Sequence, residues 1–178
     1  MATSLTDQPE LVTPRLRLRR LRAADAAVIA LHCGNPAVSR MTTSIPHPYP
    51  PGLAEAFVER VRRRGETVWA LDAGAGGGNG LIGLVALAPR GEAEAEIGYW
   101  VAPAFQGAGY ASEAVEAVAG HAGSSGAAAL RAQVFKDNLA SARVLSRAGF
   151  AHEGDGAVYS VARGAVVATF RYRLELGR

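Results

Sequence analysis

Hydrophobic and polar positions along this chain change period several times, and each change predicts an element. In "RLRLRRL" (15–21) the alternation sets Leu16 and Leu18 on one side and Arg15, Arg17 and Arg19 on the other, a half-buried strand with a solvated basic face. "AADAAVIALHCG" predicts a helix with Asp25 in its first turn and Gly34 just past its end. "IPHPYPP" breaks the chain, and "GLAEAFVERVRRRG" predicts an amphipathic helix whose apolar side runs through Leu53, Phe57 and Val61. "TVWAL" and "GLIGLVAL" predict two apolar strands joined by a flexible glycine-rich hairpin loop, "DAGAGGGNG". "EAEIGYWV" is a further strand, followed by a helix, "YASEAVEAVAGHAG", with Ala111, Ala114, Val115, Val118 and Ala122 as its apolar stripe. "AALRAQVF" predicts a strand. "NLASARVLSRAGF" predicts a helix stopped by Gly149, with Phe150 folding back onto Leu145. Two last strands fall near "AHEG" and "VATFRYRLEL". The order β, α, α, three strands, then α, β, α, β, β predicts an α/β protein with a central sheet of mixed direction and helices packed on it.

Composition narrows the class. The 178 residues, 49% hydrophobic and 20% charged, fit a single globular domain spanning 1–178. One cysteine, Cys33, excludes an internal disulfide framework. The four histidines, at 32, 47, 121 and 152, lack metal-ligand spacing, so no metal is expected. Neither a signal peptide nor a membrane-length apolar run is seen, which predicts a cytoplasmic protein without a membrane partner. The net charge of +3 comes from arginine clusters that carry no interleaved aromatic residues, so no nucleic-acid partner is expected.

The stretch "QGAGYASEA" (106–114) carries the most chemistry. A strand feeding a glycine loop that opens a helix gathers unpaired amides at the positive end of the helix dipole, and glycine removes the side chains that would hold a phosphate away. A tight strand-to-helix turn is the plain alternative, although two glycines and two alanines exceed its needs. A dinucleotide site does not fit, because the third glycine and the acidic residue about 20 positions on are both missing.

"Q-x-x-G-x-A" after a strand, then a second strand and "N-x-x-S" opening a helix that ends in "GF", resembles the acyl-CoA site of the GNAT superfamily of N-acetyltransferases. "TPRLRLR" and "GYWVAPAFQGAGYASEA" resemble more narrowly its RimJ/RimL-type branch, named for acetylation of ribosomal-protein N-termini. The resemblance covers roughly residues 12–176. It implies the GNAT acyl-CoA N-acyltransferase fold, a mostly antiparallel mixed sheet splayed between its fourth and fifth strands. It implies acetyl-CoA as co-substrate, with the pyrophosphate on Gln106, Gly107, Ala108, Gly109, Tyr110 and Ala111 and with Ser112 nearby. The pantetheine arm would lie beside Trp100 and Val101, bonded to the backbone of Val101, and would meet Asn138, which also suits a helix N-cap. One departure is Ala108, where many relatives carry a basic residue; phosphate binding would then rest on amides and dipole.

Acetyl transfer needs a deprotonated amine, stabilisation of the carbonyl oxygen and a leaving thiolate. Direct attack, as in the family, leaves Cys33 without a nucleophilic role. Glu96, sharing a strand face with Glu94, Gly98 and Trp100, is the candidate base through a water, or else a solvated strand carboxylate. Many superfamily members place an acidic tyrosine where this chain has Leu145; Ser141 matches the serine to which the RimJ/RimL branch gives the task of holding or protonating the sulfur. Glu153 and Asp155 lie near the segment where some relatives have a carboxylate, without a match. The acceptor amine, whether a protein N-terminus or a small molecule, stays open, as does a homodimeric state. A non-catalytic acyl-CoA-binding module is the alternative from another class.

Overall fold

A computed structural model describes residues 8–74 and 80–177. Among them eight strands form one sheet: β1 (Leu11–Val12), β2 (Arg17–Arg20), β3 (Thr67–Asp72), β4 (Leu81–Arg90), β5 (Glu94–Val101), β6 (Ala129–Phe135), β7 (Ala151–Ser160) and β8 (Ala165–Glu175). The helices are α1 (Ala26–Cys33), α2 (Pro36–Ser39), α3 (Leu53–Arg64), α4 (Tyr110–Ser124) and α5 (Leu139–Arg147). The spatial order is β1-β2-β3-β4-β5-β6-β8-β7, antiparallel except for the parallel pair β5–β6. No described helix is long and apolar enough to cross a membrane.

The sheet is covered on both faces, which explains why β3 and β4 are nearly continuous apolar runs rather than alternating ones. Trp69 and Leu71 of β3 turn toward Val115 and Val118 of α4 and Leu145 of α5. Val68 and Ala70 turn the other way, toward Ile29 of α1 and Val58 and Val61 of α3. Leu145 is fully buried, so truncation to alanine there would cost about 2–5 kcal/mol. The α5 ending matches its sequence signature. Gly149 has φ +87°, Phe150 N–H donates to the Leu145 carbonyl at 3.0 Å, and Gly149 N–H donates to that of Ser146 at 3.2 Å, the paired bonds of a Schellman ending.

Several expectations shift. Arg19 does not join a solvated basic face: it is 3% exposed, with Nη1 and Nη2 at 2.9 and 3.0 Å from the Asp25 carboxylate and Nε at 2.7 Å from Asp72. Two carboxylates compensate the buried charge, and removing either side of such a cluster costs about 3–5 kcal/mol. Asp25 lies in a single helical turn before α1 rather than inside it. On α3 the core-facing side is Ala54, Val58 and Val61, while Leu53 and Phe57 turn to a cavity. Strand β1, too short to show a period, was not legible, and β7 runs on to Ser160. The hairpin between β3 and β4 forms, with residues 75–79 of its glycine-rich loop outside the described residues.

Candidate active site

The parallel ladder between β5 and β6 is short. Glu94, Ala95 and Glu96 pair with Ala129, Leu130 and Arg131, and beyond that register Ile97–Val101 and Ala132–Phe135 part. In the full strand count this is the fifth–sixth boundary, the same pair of strands expected to splay once β1 is included. The joined end is clamped by charge: Glu94 accepts from Arg131 Nε at 2.6 Å and from Arg173 Nη1 at 2.8 Å. Those bonds, Arg131 first, hold the Glu94 carboxyl below the usual range.

At the open end Ala102 N–H donates to the Ile82 carbonyl at 2.8 Å, so pleating turns the backbone groups of Val101 toward the gap. The Val101 carbonyl there already accepts from Gln106 Nε2 at 2.8 Å. Gln106 thus braces the loop with its side chain. Gly107 and Gly109 have φ of +77° and +88°, a region that strains any residue with a Cβ, and Gly109 is the N-cap of α4. No side chain caps that helix start, and residues 106–109 are exposed, so the first amides of α4 and its dipole face outward.

Ala108 brings no charge to the loop, but Arg15 comes to it from the turn before β2. Its Nη1 donates to the Ala108 carbonyl at 2.7 Å, its guanidinium lies 4.6 Å from the Tyr110 ring centroid, and Nε donates to Glu113 at 2.7 Å. Burial works against the Glu113 carboxylate, yet hydrogen bonds from Thr13 and Arg15 outweigh it and hold its pKa down. Because Arg15 is paired, it acts as a brace on loop and helix rather than as a free cation. Its role was missed; the partners are 93 and 98 residues away in sequence.

Across the gap Asn138 caps α5, its Oδ1 accepting from Ser141 N–H at 3.2 Å, so the N-cap reading holds. Ser141 Oγ lies 2.8 Å from the Tyr99 hydroxyl. Tyr99, also missed, stands on the β5 face opposite Glu96 and Trp100. Burial pushes its phenol up to about 12 against the opposing bond to Ser141, so it is protonated at neutral pH. The Tyr99 hydroxyl thus reaches the first turn of α5 from the sheet, while Leu145, one turn further along the helix, is apolar and buried.

Glu96, Trp100, Asn138 and Ser141 line one cavity of about 690 Å³. A Cβ at Gly98 would meet nothing within 4 Å, which leaves space beside Glu96. The Glu96 carboxylate is engaged by Arg90, whose Nε donates to Oε2 at 2.7 Å. Gln106–Ser112 are outside this wall; they flank the open end of the gap. Cys33 does line it, but burial pushes its thiol up to about 12, so it presents no thiolate. Glu153 pairs with Arg131 at 3.0 Å and Asp155 with Lys136 at 2.5 Å, and neither reaches this cavity. Among the described residues no group of three or more His, Cys, Asp or Glu could hold a metal.

A strap runs beside the cavity, whose wall includes Met41 and Phe135. Arg163, between β7 and β8, donates to the Arg40 carbonyl and to Asp137, each at 2.7 Å, and lies 4.6 Å from the Phe135 ring. It ties the loop after α2 to the β6–α5 turn.

The model of the acetyltransferase (GNAT) domain family matches residues 15–151. No curated protein matches the chain by sequence. Among solved structures, a GNAT-family acetyltransferase from Bacillus anthracis is 21% identical, with TM-score 0.80 over 94% of this chain and 98% of its own. The ribosomal α-N-protein acetyltransferase RimL in complex with coenzyme A is 20% identical, TM-score 0.78, over 93% and 96%. Spermidine N-acetyltransferase from Vibrio cholerae in complex with CoA and spermine is 20% identical, TM-score 0.76, over 92% and 96%. At such identities these structures share the fold with the chain. The splayed sheet, the glycine loop at its mouth and the match over residues 15–151 lead to one conclusion: this chain belongs to the GNAT acetyltransferase family.

Proposed function

We propose that this protein is an acetyl-CoA-dependent N-acetyltransferase of the RimJ/RimL-like branch, acting on a primary amine through one domain with its core at 12–176. The observation that carries the reading is the gap itself. Two strands part after one short ladder, and Glu96, at the end of that ladder, and Ser141, across the gap, line a single cavity.

The residues present fit acetyl-CoA. Gln106, Gly107, Ala108, Gly109, Tyr110 and Ala111 would hold the pyrophosphate with backbone amides, Ser112 beside them, under the α4 dipole. Trp100, the backbone of Val101, and Asn138 would flank the pantetheine arm. Bound there, acetyl-CoA supplies a thioester carbonyl that an amine attacks directly, the C–N bond forming as the C–S bond breaks and the thiolate leaves. Glu96 takes a proton from the ammonium through a water before attack. Ser141 gives its proton to the departing sulfur and recovers one from the acylated nitrogen, which leaves a neutral amide and a neutral thiol. Tyr99, protonated at neutral pH, shares a 2.8 Å hydrogen bond with Ser141 Oγ; with Tyr99 as its donor, the serine's own proton is left for the gap. A cytoplasmic setting, in which Cys33 stays reduced, belongs to the proposal.

One observation favours a second reading. Arg90 holds the Glu96 carboxylate, and a carboxylate so engaged suits an acyl-CoA-binding module without turnover. Acetyl-CoA binding should raise the melting temperature under either reading. CoA release that depends on an added primary amine separates them, since only the enzyme produces it. A protein whose melting temperature ignores acetyl-CoA would contradict both.

A further inference from the structure

The cavity continues from the proposed reaction centre to the face covered by α1 and α3, and its chemistry there is uneven. Tyr49, Leu53, Phe57 and Trp100 give it an apolar, largely aromatic wall. Burial, then Cys33 and Glu55, push the Tyr49 hydroxyl up to about 12, so it stays uncharged at neutral pH. The charged groups among its described wall residues are Arg60, Glu66, Arg90 and Glu96. They pair off, with Arg60 Nε 3.1 Å from Glu66 Oε1 and Arg90 bonded to Glu96. Two arginines thus balance two glutamates. The smaller cavity that adjoins at Glu96 adds Arg131 and Arg171 against Glu153, so the described lining of the two cavities carries no acidic excess.

We infer that the acceptor at this site is a monoamine on an apolar body, its amine at Glu96 and its body between Tyr49, Phe57 and Trp100, and that polyamines are poor acceptors. The inference rests on the acetyl-transfer reading above. A polyamine brings a second and third ammonium, each of which needs a carboxylate when desolvated. Here it would meet Arg60 and Arg90 beside every carboxylate of the cavity. An apolar body instead gains from the wall by leaving water, and pockets of this kind discriminate by about 10-fold or more for each well-filled apolar group. The same chemistry is offered by a free arylalkylamine and by a protein N-terminus whose first residue is large and apolar.

The test is steady-state CoA release by the full chain with acetyl-CoA and four acceptors: 2-phenylethylamine, a short peptide with N-terminal phenylalanine, ethylamine and spermidine. The expected result is a kcat/KM at least about 10-fold higher for 2-phenylethylamine or the peptide than for ethylamine and spermidine. Which of the first two leads identifies the source as a small molecule or a protein N-terminus. Phe57→Ala should narrow the gap between 2-phenylethylamine and ethylamine, and Arg60→Ala, by freeing Glu66, should raise kcat/KM for spermidine. Spermidine equal to or better than 2-phenylethylamine in the native protein overturns the inference. So does faster turnover of hexanoyl-CoA than of acetyl-CoA, because the apolar wall would then serve the acyl chain. CoA release from no amine, by a protein that binds acetyl-CoA, overturns it together with amine transfer; failure to bind acetyl-CoA overturns the proposed function beneath it.

Discussion

The two ends of the gap between β5 and β6 are built from different materials. At the mouth the work falls to backbone: glycines at positive φ, a helix start with no side-chain cap, and a glutamine bracing a strand carbonyl. Deeper in, the work falls to side chains brought from separate elements, Tyr99 and Glu96 from β5, Ser141 from α5, and Phe57 from α3. A backbone device tolerates little change at its glycines and almost any change elsewhere. A side-chain device fails one function at a time. Substitutions of the mouth glycines should therefore abolish acetyl-CoA binding, and substitutions deeper in should divide binding from turnover.

The largest effect is expected from Gly109→Glu. A left-handed φ of +88° and a Cβ position 3.2 Å from Arg15 Nη2 strain the loop, and a carboxylate joins the proposed phosphate site. The acetyl-CoA-induced rise in melting temperature should vanish in a folded variant. A full rise would place the nucleotide elsewhere.

Next comes Glu96→Gln, with kcat lower by about 10²-fold at neutral pH and the affinity for CoA unchanged. The deficit should shrink as pH rises and more of the amine is neutral. A pH-rate profile that coincides with the native one would make Glu96 only the partner of Arg90.

Smaller effects should separate the residues around α5. Asn138→Ala removes the side-chain cap of α5, which costs about 1 kcal/mol, whereas Ser141→Ala keeps the backbone N–H that the cap holds. Asn138→Ala should mainly weaken CoA binding, and Ser141→Ala mainly kcat. Tyr99→Phe should lower kcat by about 10-fold with CoA affinity intact, uniformly from pH 6 to 9, because the phenol titrates only at about 12. A loss confined to affinity in Ser141→Ala would make the serine a binding residue and leave the sulfur to solvent.

How far these parts could be read in advance follows the same division. The loop, the Schellman ending, the α4 stripe and the hairpin between β3 and β4 rest on segments that follow one another along the chain, and the sequence pattern shows them. Arg19, Tyr99, Arg15 and Arg163 reach partners 53, 42, 98 and 123 residues away, which no period reports. Leu53 and Phe57 were legible as apolar but not as cavity wall, since a hydrophobic stripe does not say whether a neighbour fills it. Tyr99 had one available signal: alternation sets it on the face opposite Glu96, where a buried hydroxyl must find a partner.

The smallest effect is expected from the strap. The hydrogen bond from Arg163 holds the Asp137 carboxyl below its usual range. A depressed folded value adds stability above the ordinary carboxylate range and loses it as pH falls through that depressed value. Arg163→Ala should thus melt a few degrees lower at pH 7, with the difference fading in strong acid. A deficit that persists there would assign it to the lost packing on Phe135.

The central claim, that the parted strands form an acetyl-transfer site, is tested most directly by mass analysis of one reaction. Native protein, acetyl-CoA and 2-phenylethylamine should give N-acetylated amine and free CoA in equal amounts, with the protein itself unmodified. Bound acetyl-CoA that stays intact in the presence of this and every other primary amine, or an acetyl group left on the protein, would contradict it.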